Sequence, residues 1–136
     1  MRSWDSYWIA SATVFLLIVL SIIPSIAQQA AFRNAPASAA AEKNPYAGST
    51  AAAAAGKQLF ARNCAQCHGA NRQGMGPAPA LDTALVRRAK PGELFWFIST
   101  GKLSSGMPSW SMLPKQQRWQ IVTFLQSAEG AKSARK

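Results

Sequence analysis

The residues with the clearest chemical potential in this sequence are two cysteines and a histidine, in the run Cys64-Ala65-Gln66-Cys67-His68. A C-x-x-C pair followed directly by histidine is the pattern through which c-type haem is attached. Each thiol can add to one vinyl group of the porphyrin, and the histidine then falls under the iron. These are the only two cysteines and the only histidine in 136 residues. The sequence therefore predicts one covalent haem c, attached through Cys64 and Cys67, with His68 as an axial iron ligand.

The same three residues could serve three other purposes. A thioredoxin-like redox pair needs a βαβ pattern, and this sequence has none. A tetrahedral zinc site needs four ligands, and the motif supplies three with no second cluster elsewhere. A plain disulfide is compatible with two cysteines in an exported chain. The adjacent histidine favours haem, because only haem requires it at that position.

The N-terminus contains a stretch of 20 uncharged residues, 8–27, which is long enough to span a bilayer as a helix. Pro24 interrupts the end of this stretch, and residues 25–27 form a small-x-small pattern typical of signal-peptide cleavage sites. Residues 1–27 are therefore predicted to be a signal peptide or an uncleaved membrane anchor, and both alternatives stay open. Either would export the rest of the chain, which predicts a location on the periplasmic side of a bacterial inner membrane.

Residues 28–48 are rich in alanine and small polar side chains, with Phe32 and Tyr46 as the large apolar exceptions. A segment of this composition cannot bury enough apolar surface to fold alone. We expect it to be an Ala-rich linker ahead of a folded domain at residues 49–128. Residues 129–136 are predicted to form a basic tail.

Three main helices are predicted in the domain. The first covers about residues 50–62, with Thr50 as its N-cap. The second, 91–101, opens on a proline and ends at a glycine, and the third covers 114–127 with apolar residues at helical spacing. A short helix at 83–89 is also possible. The segments between are rich in Gly, Pro and Ser and are predicted loops. No alternating pattern supports a strand, so the predicted class is all-α.

Methionine is the leading choice for a sixth iron ligand, since the single histidine is already used. Met75 follows His68 by only seven residues, so the chain between them would have to pass round the porphyrin edge at once, which is tight. Met107 lies much further along, between Gly106, which allows close backbone approach, and Pro108, which stiffens the loop. Met112 is expected to pack under the third helix. The sequence therefore predicts Met107 as the second axial ligand.

The chain resembles the class I c-type cytochromes over about residues 50–127. The resemblance is carried by Gly56, Phe60, Cys64, Cys67 and His68, then by Pro79-Ala80-Leu81, Gly106-Met107-Pro108 and Ile121-Val122-Thr123-Phe124-Leu125. It implies a small cytochrome c fold of three main helices around one covalent haem, after an N-terminal hydrophobic helix. It also implies that Gly56 and Phe60 meet Phe124 where the first and last helices cross, and that the Pro79 carbonyl accepts a hydrogen bond from the His68 ring.

A finer resemblance is to bacterial cytochromes that serve periplasmic quinoprotein dehydrogenases. It is carried by Pro91-Gly92-Glu93-Leu94-Phe95-Trp96-Phe97-Ile98, by Gly106-Met107-Pro108-Ser109-Trp110 and by Gln117-Arg118-Trp119-Gln120-Ile121-Val122. This resemblance implies a dehydrogenase as electron donor and an oxidase or another cytochrome as acceptor.

The charge of the chain points to acidic partners. The sequence has 15 Lys and Arg against 5 Asp and Glu, a formal net charge of +10. A strongly basic redox carrier is steered towards acidic docking patches on its partners or towards anionic lipid. Nucleic acid is the other usual partner of basic chains, but an exported haem protein is not expected to bind it.

With a histidine and a methionine both bound, no iron position stays open for oxygen or peroxide. The sequence therefore predicts a non-enzymatic carrier of single electrons, or the electron-transfer subunit of a larger dehydrogenase or respiratory complex. The alternative is a haem enzyme, or a gas or redox sensor, with a labile sixth ligand. Electrons are expected to pass near the thioethers, at a docking face of small residues, Ala65, Gln66, Gly74, Met75, Gly76 and Pro108.

Overall fold

Six α-helices and one 3₁₀ turn form the secondary structure of residues 34–127, the part of the chain that the computed structural model describes. The helices are α1 (Ala37–Ala40), α2 (Thr50–Asn63), α3 (Ala65–His68), α4 (Ala84–Arg88), α5 (Pro91–Thr100) and α6 (Lys115–Gln126), and the 3₁₀ turn is Leu103–Ser105. Within this range β-type pairing is limited to two isolated bridges and no strand is formed, so the predicted all-α class is confirmed there.

The three main helices α2, α5 and α6 lie where the sequence predicts them. The predicted N-cap of α2 is wrong by one residue: Ser49, not Thr50, caps the helix, and its Oγ accepts from the Ala52 N–H at 3.1 Å. Ser49 has an extended backbone, which a capping residue needs, whereas Thr50 is already helical. Helix α5 begins at Pro91 and is closed by Gly101, as predicted.

Helices α2 and α6 cross at a glycine. A Cβ built on Gly56 would overlap the Gln120 carbonyl and lie 2.9 Å from the Phe124 Cβ, so only a glycine fits at this crossing. The rings of Phe60 and Phe124 meet beside it, with centroids 5.5 Å apart. The implied meeting of Gly56 and Phe60 with Phe124 is therefore confirmed.

Helix α5 closes the core against α6 through an aromatic stack. The rings of Phe95 and Trp119 lie 4.1 Å apart between centroids at an interplanar angle of 17°. The remaining buried apolar side chains are Ala52, Ala53, Leu59, Phe60, Val86, Leu94, Ile98, Ile121, Val122, Phe124 and Leu125. Every main helix contributes to this core. The packed helices therefore fix the two ends of each loop that connects them.

The expected linker at 28–48 is wrong for residues 35–48, which pack on the helices. The backbone of α5 at Gly92 lies so close to the Ala39 carbonyl that a Cβ on Gly92 would overlap it. The Asn44 Nδ2 donates to the Thr123 Oγ1 of α6 at 2.9 Å. Small side chains cannot form a core alone, but they allow this close backbone approach to helices that already exist. Composition therefore misses the docking.

Three other sequence predictions fall outside the described residues. They are the signal peptide or anchor at 1–27, the start of the linker at 28–33 and the basic tail at 129–136. Within residues 34–127, no helix combines the length and the apolar character needed to cross a membrane.

Replacing Asn44 tests how much the packing of residues 35–48 on the helices contributes to stability. Asn44→Ala removes the bond to Thr123 and the Asn44 Oδ1 contact that accepts the Tyr46 N–H at 2.9 Å. We expect it to lower the free energy of unfolding of the haem-loaded protein by about 1–2 kcal/mol, measured by chemical denaturation. The control is Glu42→Gln, which removes an exposed ion pair to Lys115 (3.5 Å) and should cost less than about 0.5 kcal/mol. Equal effects of the two changes would contradict the docking.

Candidate functional site

The two cysteines and the histidine lie on one tight turn at the end of α2. The Cys64 N–H donates to the Phe60 carbonyl at 2.8 Å, so Cys64 still belongs to the helix. Its own carbonyl then accepts from the N–H groups of Cys67 (3.1 Å) and His68 (2.9 Å), which form the single turn α3. The C-x-x-C-H spacing is therefore folded into one turn that is fixed by the buried helix before it.

Both cysteine thiols are free, and no disulfide joins Cys64 to Cys67. Cys64 is half-buried and Cys67 is exposed. Burial, and then the neighbouring Cys67, raise the pKa of the Cys64 thiol to about 11, so this sulfur carries its proton at neutral pH. Within residues 34–127, no three His, Cys, Asp or Glu side chains are grouped as a metal site.

The imidazole of His68 is oriented by a backbone carbonyl. Its Nδ1 lies 2.9 Å from the Pro79 oxygen, as the family resemblance implies. A carbonyl oxygen only accepts hydrogen bonds, so Nδ1 carries a proton, and in the neutral imidazole the lone pair is then on Nε2. That is the tautomer in which histidine binds a metal through Nε2, with the other nitrogen held by an outer partner.

The Pro79 carbonyl is presented by a loop that is closed on itself. This proximal loop, residues 69–81, begins where the Gly74 N–H donates to the His68 carbonyl at 2.8 Å. It is tied at its other end by the Leu81 N–H, which donates to the Arg72 carbonyl at 2.8 Å. The two bonds fix where the Pro79 oxygen lies relative to the imidazole.

Arg72 is buried inside this loop, and sequence analysis did not identify it. Its side chain is 1% exposed, with the guanidinium carbon 5.0 Å from the Phe124 ring centroid. Its Nη2 is buried without a hydrogen-bond partner among the described residues. Burial lowers the pKa of Arg72, which Asp82 opposes and Arg87 reinforces. The cation–π contact anchors the proximal loop on α6. An arginine among polar loop residues gives no sign of this in the sequence.

Met107 lies on a different loop, between α5 and α6. It is half-buried, and it pairs with Lys102 through two backbone hydrogen bonds of 2.8 and 3.1 Å. Gly106, at a φ of 77°, makes the left-handed turn that leads into it. The other two candidates are more exposed, Met75 at 53% and Met112 at 82%. The expectation that Met112 packs under the third helix is wrong, because its side chain lies in solvent, whereas the following Leu113 is half-buried.

The Met107 loop, residues 106–113, is bonded to the last turn of α5. The Trp110 N–H donates to the Ile98 carbonyl at 3.1 Å, and the Ser109 Oγ donates to the Ser99 carbonyl at 2.6 Å. The sequence did not predict these contacts, because the position of a serine in a loop does not indicate its hydrogen-bond partner.

The structure brings Cys64, Cys67, His68 and Pro79 together at one turn and its adjoining loop, and it places Met107 on a separate loop. The residues of the expected docking face, Ala65, Gln66, Gly74, Met75, Gly76 and Pro108, are all exposed or half-buried. The donor set fits a c-type haem: two free thiols on one turn, one imidazole with Nε2 available, and a thioether on a tethered loop.

The comparisons with known proteins agree with this set. The family described as "Cytochrome C oxidase, cbb3-type, subunit III" matches residues 51–125. Cytochrome cL from the marine methylotrophic bacterium Methylophaga aminisulfidivorans has a similar crystal structure, with a TM-score of 0.52 and 28% sequence identity. That match covers 65% of this chain and 64% of the cytochrome cL chain, so this chain spans just under two thirds of that protein. No curated protein matches the chain.

The family match covers more than half of the chain, and it includes the turn from Cys64 to His68, the proximal loop and the Met107 loop. The predicted resemblance to c-type cytochromes is confirmed. The chain belongs to the cytochrome c family described as cbb3-type cytochrome c oxidase subunit III.

Proposed function

We propose that this protein is a monohaem c-type cytochrome that passes single electrons from a periplasmic or membrane dehydrogenase to a downstream acceptor such as a terminal oxidase. The observation that carries the proposal is the 2.9 Å contact between the His68 Nδ1 and the Pro79 carbonyl. It sets the imidazole in the metal-binding tautomer directly beside two free thiols. A thiol redox pair has no need of that contact, and this turn supplies only three of the four ligands that a tetrahedral zinc site needs.

Each residue of the donor set has a distinct role in the proposal. Cys64 and Cys67 would hold one haem c through two thioethers, while the His68 Nε2 and the Met107 sulfur would bind its iron. The haem supplies an iron centre that cycles between Fe(II) and Fe(III). The Pro79 carbonyl fixes the imidazole ring and raises its basicity, while the soft thioether of Met107 favours the reduced iron.

Two iron donors supplied by the protein, the His68 imidazole and the Met107 thioether, argue for a carrier and against an enzyme. A reaction on oxygen or peroxide needs an open iron position, which this donor set does not leave. The Met107 loop is bonded to α5, so its sulfur is held in place when the oxidation state changes. A fixed donor set keeps the reorganisation small, and that suits rapid electron transfer between proteins.

The donor and acceptor are expected to present acidic patches to this protein. Residues 34–127 carry 10 Lys and Arg against 3 Asp and Glu, a formal net charge of +7. Such a surface steers diffusion towards acidic partners. The resemblance to cytochromes that serve quinoprotein dehydrogenases, together with the likeness to cytochrome cL from a methylotroph, supports a periplasmic dehydrogenase as the donor. Export through residues 1–27 would bring the protein to that compartment, either anchored or released.

The proposal predicts one haem that cannot be extracted. Acid-acetone treatment of the protein, produced with its haem-attachment machinery, should leave the haem on the polypeptide, and intact mass should rise by one haem. Cys64→Ala and Cys67→Ala should each retain one thioether, which shifts the pyridine haemochrome band. The double variant should lose covalent haem altogether.

The matched control is Gln66→Ala, an exposed position on the same turn. This variant should attach haem as fully as the parent protein. Release of free haem from the parent protein would contradict the proposed function.

A further inference from the structure

We propose that Arg118 is a positioning residue for the sixth iron ligand, because it holds closed the loop that carries Met107. The inference rests on the proposed function, in which the Met107 sulfur binds the iron. Arg118 lies on α6, and it does not belong to the donor set.

The guanidinium of Arg118 joins three parts of the fold. Its Nε donates to the Leu113 carbonyl at 3.1 Å, at the end of the Met107 loop. Its Nη1 donates to the Ser99 Oγ on α5. The guanidinium carbon lies 4.7 Å from the centroid of the Phe95 ring, the ring that stacks on Trp119. One planar group therefore fastens α5 and the end of the loop to α6.

Ser99 connects this arginine to the middle of the loop. Its Oγ accepts from Arg118 and donates to the Phe95 carbonyl at 2.7 Å. Its carbonyl accepts from the Ser109 Oγ, two residues after Met107, at 2.6 Å. The same Ser109 oxygen accepts from the Ser111 N–H at 3.2 Å. Loss of the Arg118 side chain thus frees the end of the Met107 loop directly, and it loosens the turn of α5 whose Ser99 backbone carbonyl holds the middle of that loop.

A simple positive charge near Phe95 would not do the same. Lys115 supplies a matched cation, since its Nζ lies 5.7 Å from the centroid of the Phe95 ring. That ammonium pairs with Glu42, at 3.5 Å, in the N-terminal segment. Arg118 reaches Leu113 and Ser99 with two different nitrogens of one rigid plane, a span that the single nitrogen of an ammonium does not cover. The positioning role therefore belongs to geometry and not to charge alone.

Opening of the loop is measurable because it exposes the iron to an added ligand. Imidazole binds ferric iron only in the fraction of molecules whose Met107 sulfur has left. The apparent dissociation constant equals the intrinsic one divided by that fraction. Loss of the Arg118 bonds should raise the open fraction about tenfold or more, because hydrogen bonds from charged groups are among the stronger ones.

The experiment titrates imidazole into the ferric, haem-loaded protein at pH 8 and follows the loss of the Fe–S(Met) absorption band. Arg118→Gln should bind imidazole about tenfold or more tightly than the parent protein. Arg118→Lys should fall between the two. Lys115→Gln should stay within about twofold of the parent protein, because Lys115 has no bond to the Met107 loop. The titration uses temperatures at which every variant is fully folded, so a general loss of stability would leave it unchanged.

A second variant tests the path through Ser99. Ser99→Ala should also tighten imidazole binding, and combining it with Arg118→Gln should give less than the product of the two single effects, because both remove the same bond. If Arg118→Gln does not accumulate as a haem-loaded protein, Arg118→Lys and Ser99→Ala take its place in the test. Tighter imidazole binding by these two variants than by the parent protein supports the positioning role of Arg118. Unchanged binding overturns it. Arg118→Gln that behaves like Lys115→Gln also overturns it. A parent protein without the Fe–S(Met) band would instead overturn the assignment of Met107 in the proposed function.

Discussion

Replacing Met107 with leucine is expected to remove the Fe–S(Met) absorption band and to lower the reduction potential of the haem-loaded protein. The fall should be on the order of 0.2 V, a part of the roughly 0.8 V range that axial ligands span. The thioether favours Fe(II), so its loss favours Fe(III). Leucine has nearly the volume of methionine, and the packing cost should stay below about 1.5 kcal/mol. Spectroscopy, a redox titration and chemical denaturation together separate loss of a ligand from loss of the fold.

The chain provides two matched controls for this change. Met75→Leu and Met112→Leu alter side chains that are 53% and 82% exposed, and both should leave the band and the potential unchanged. Loss of the band in Met75→Leu instead would assign the ligand to the proximal loop, and the choice of Met107 would be wrong. If no methionine matters, the iron is five-coordinate or otherwise ligated, and the haem enzyme or sensor alternative becomes the better interpretation.

Electron transfer from the donor is expected to slow at least about tenfold as ionic strength rises from about 10 mM to 0.5 M. Steering by a surface with a net charge of +7 over residues 34–127 acts over distances that salt shortens. The Debye length falls from about 30 Å at 0.01 M to a few ångströms near 1 M, and steered association rates fall steeply with it. Stopped-flow reduction of this cytochrome by an acidic dehydrogenase would measure the effect.

Paired charge variants locate the docking face. Arg62 is exposed and lies two residues before Cys64, and Lys102 is exposed and bonds to the Met107 backbone. Arg62→Gln and Lys102→Gln should slow the low-salt reaction more than Arg88→Gln and Lys90→Gln, although every variant removes one exposed positive charge. The four rates should converge at high salt. Equal effects would mean that net charge acts without a preferred face, and a rate indifferent to salt would indicate an apolar docking face.

The elements that the sequence predicted well are those set by local signals. A proline opens α5 and a glycine closes it, and helical spacing of apolar residues marks α6. The haem-attachment turn is defined by five consecutive residues, so its chemistry does not depend on distant parts of the chain. The meeting of Gly56 with Phe124 and the His68–Pro79 contact were implied by a family resemblance, which carries tertiary information that spacing lacks.

What the sequence by itself determined is the all-α class of residues 34–127, the bounds of the main helices to within about a residue, and the thiol, imidazole and thioether groups of the donor set. Only the tertiary structure decided which polar side chains support them. The Asn44–Thr123 bond joins residues 79 positions apart, and the Arg118–Ser99 bond joins residues 19 apart. A helix start or a C-x-x-C-H turn is fixed by groups within a few residues. Other features depend on which surfaces meet after the helices pack, and composition does not encode those contacts. They are the buried Arg72 guanidinium, the half-buried Leu113 and the docked alanine-rich segment.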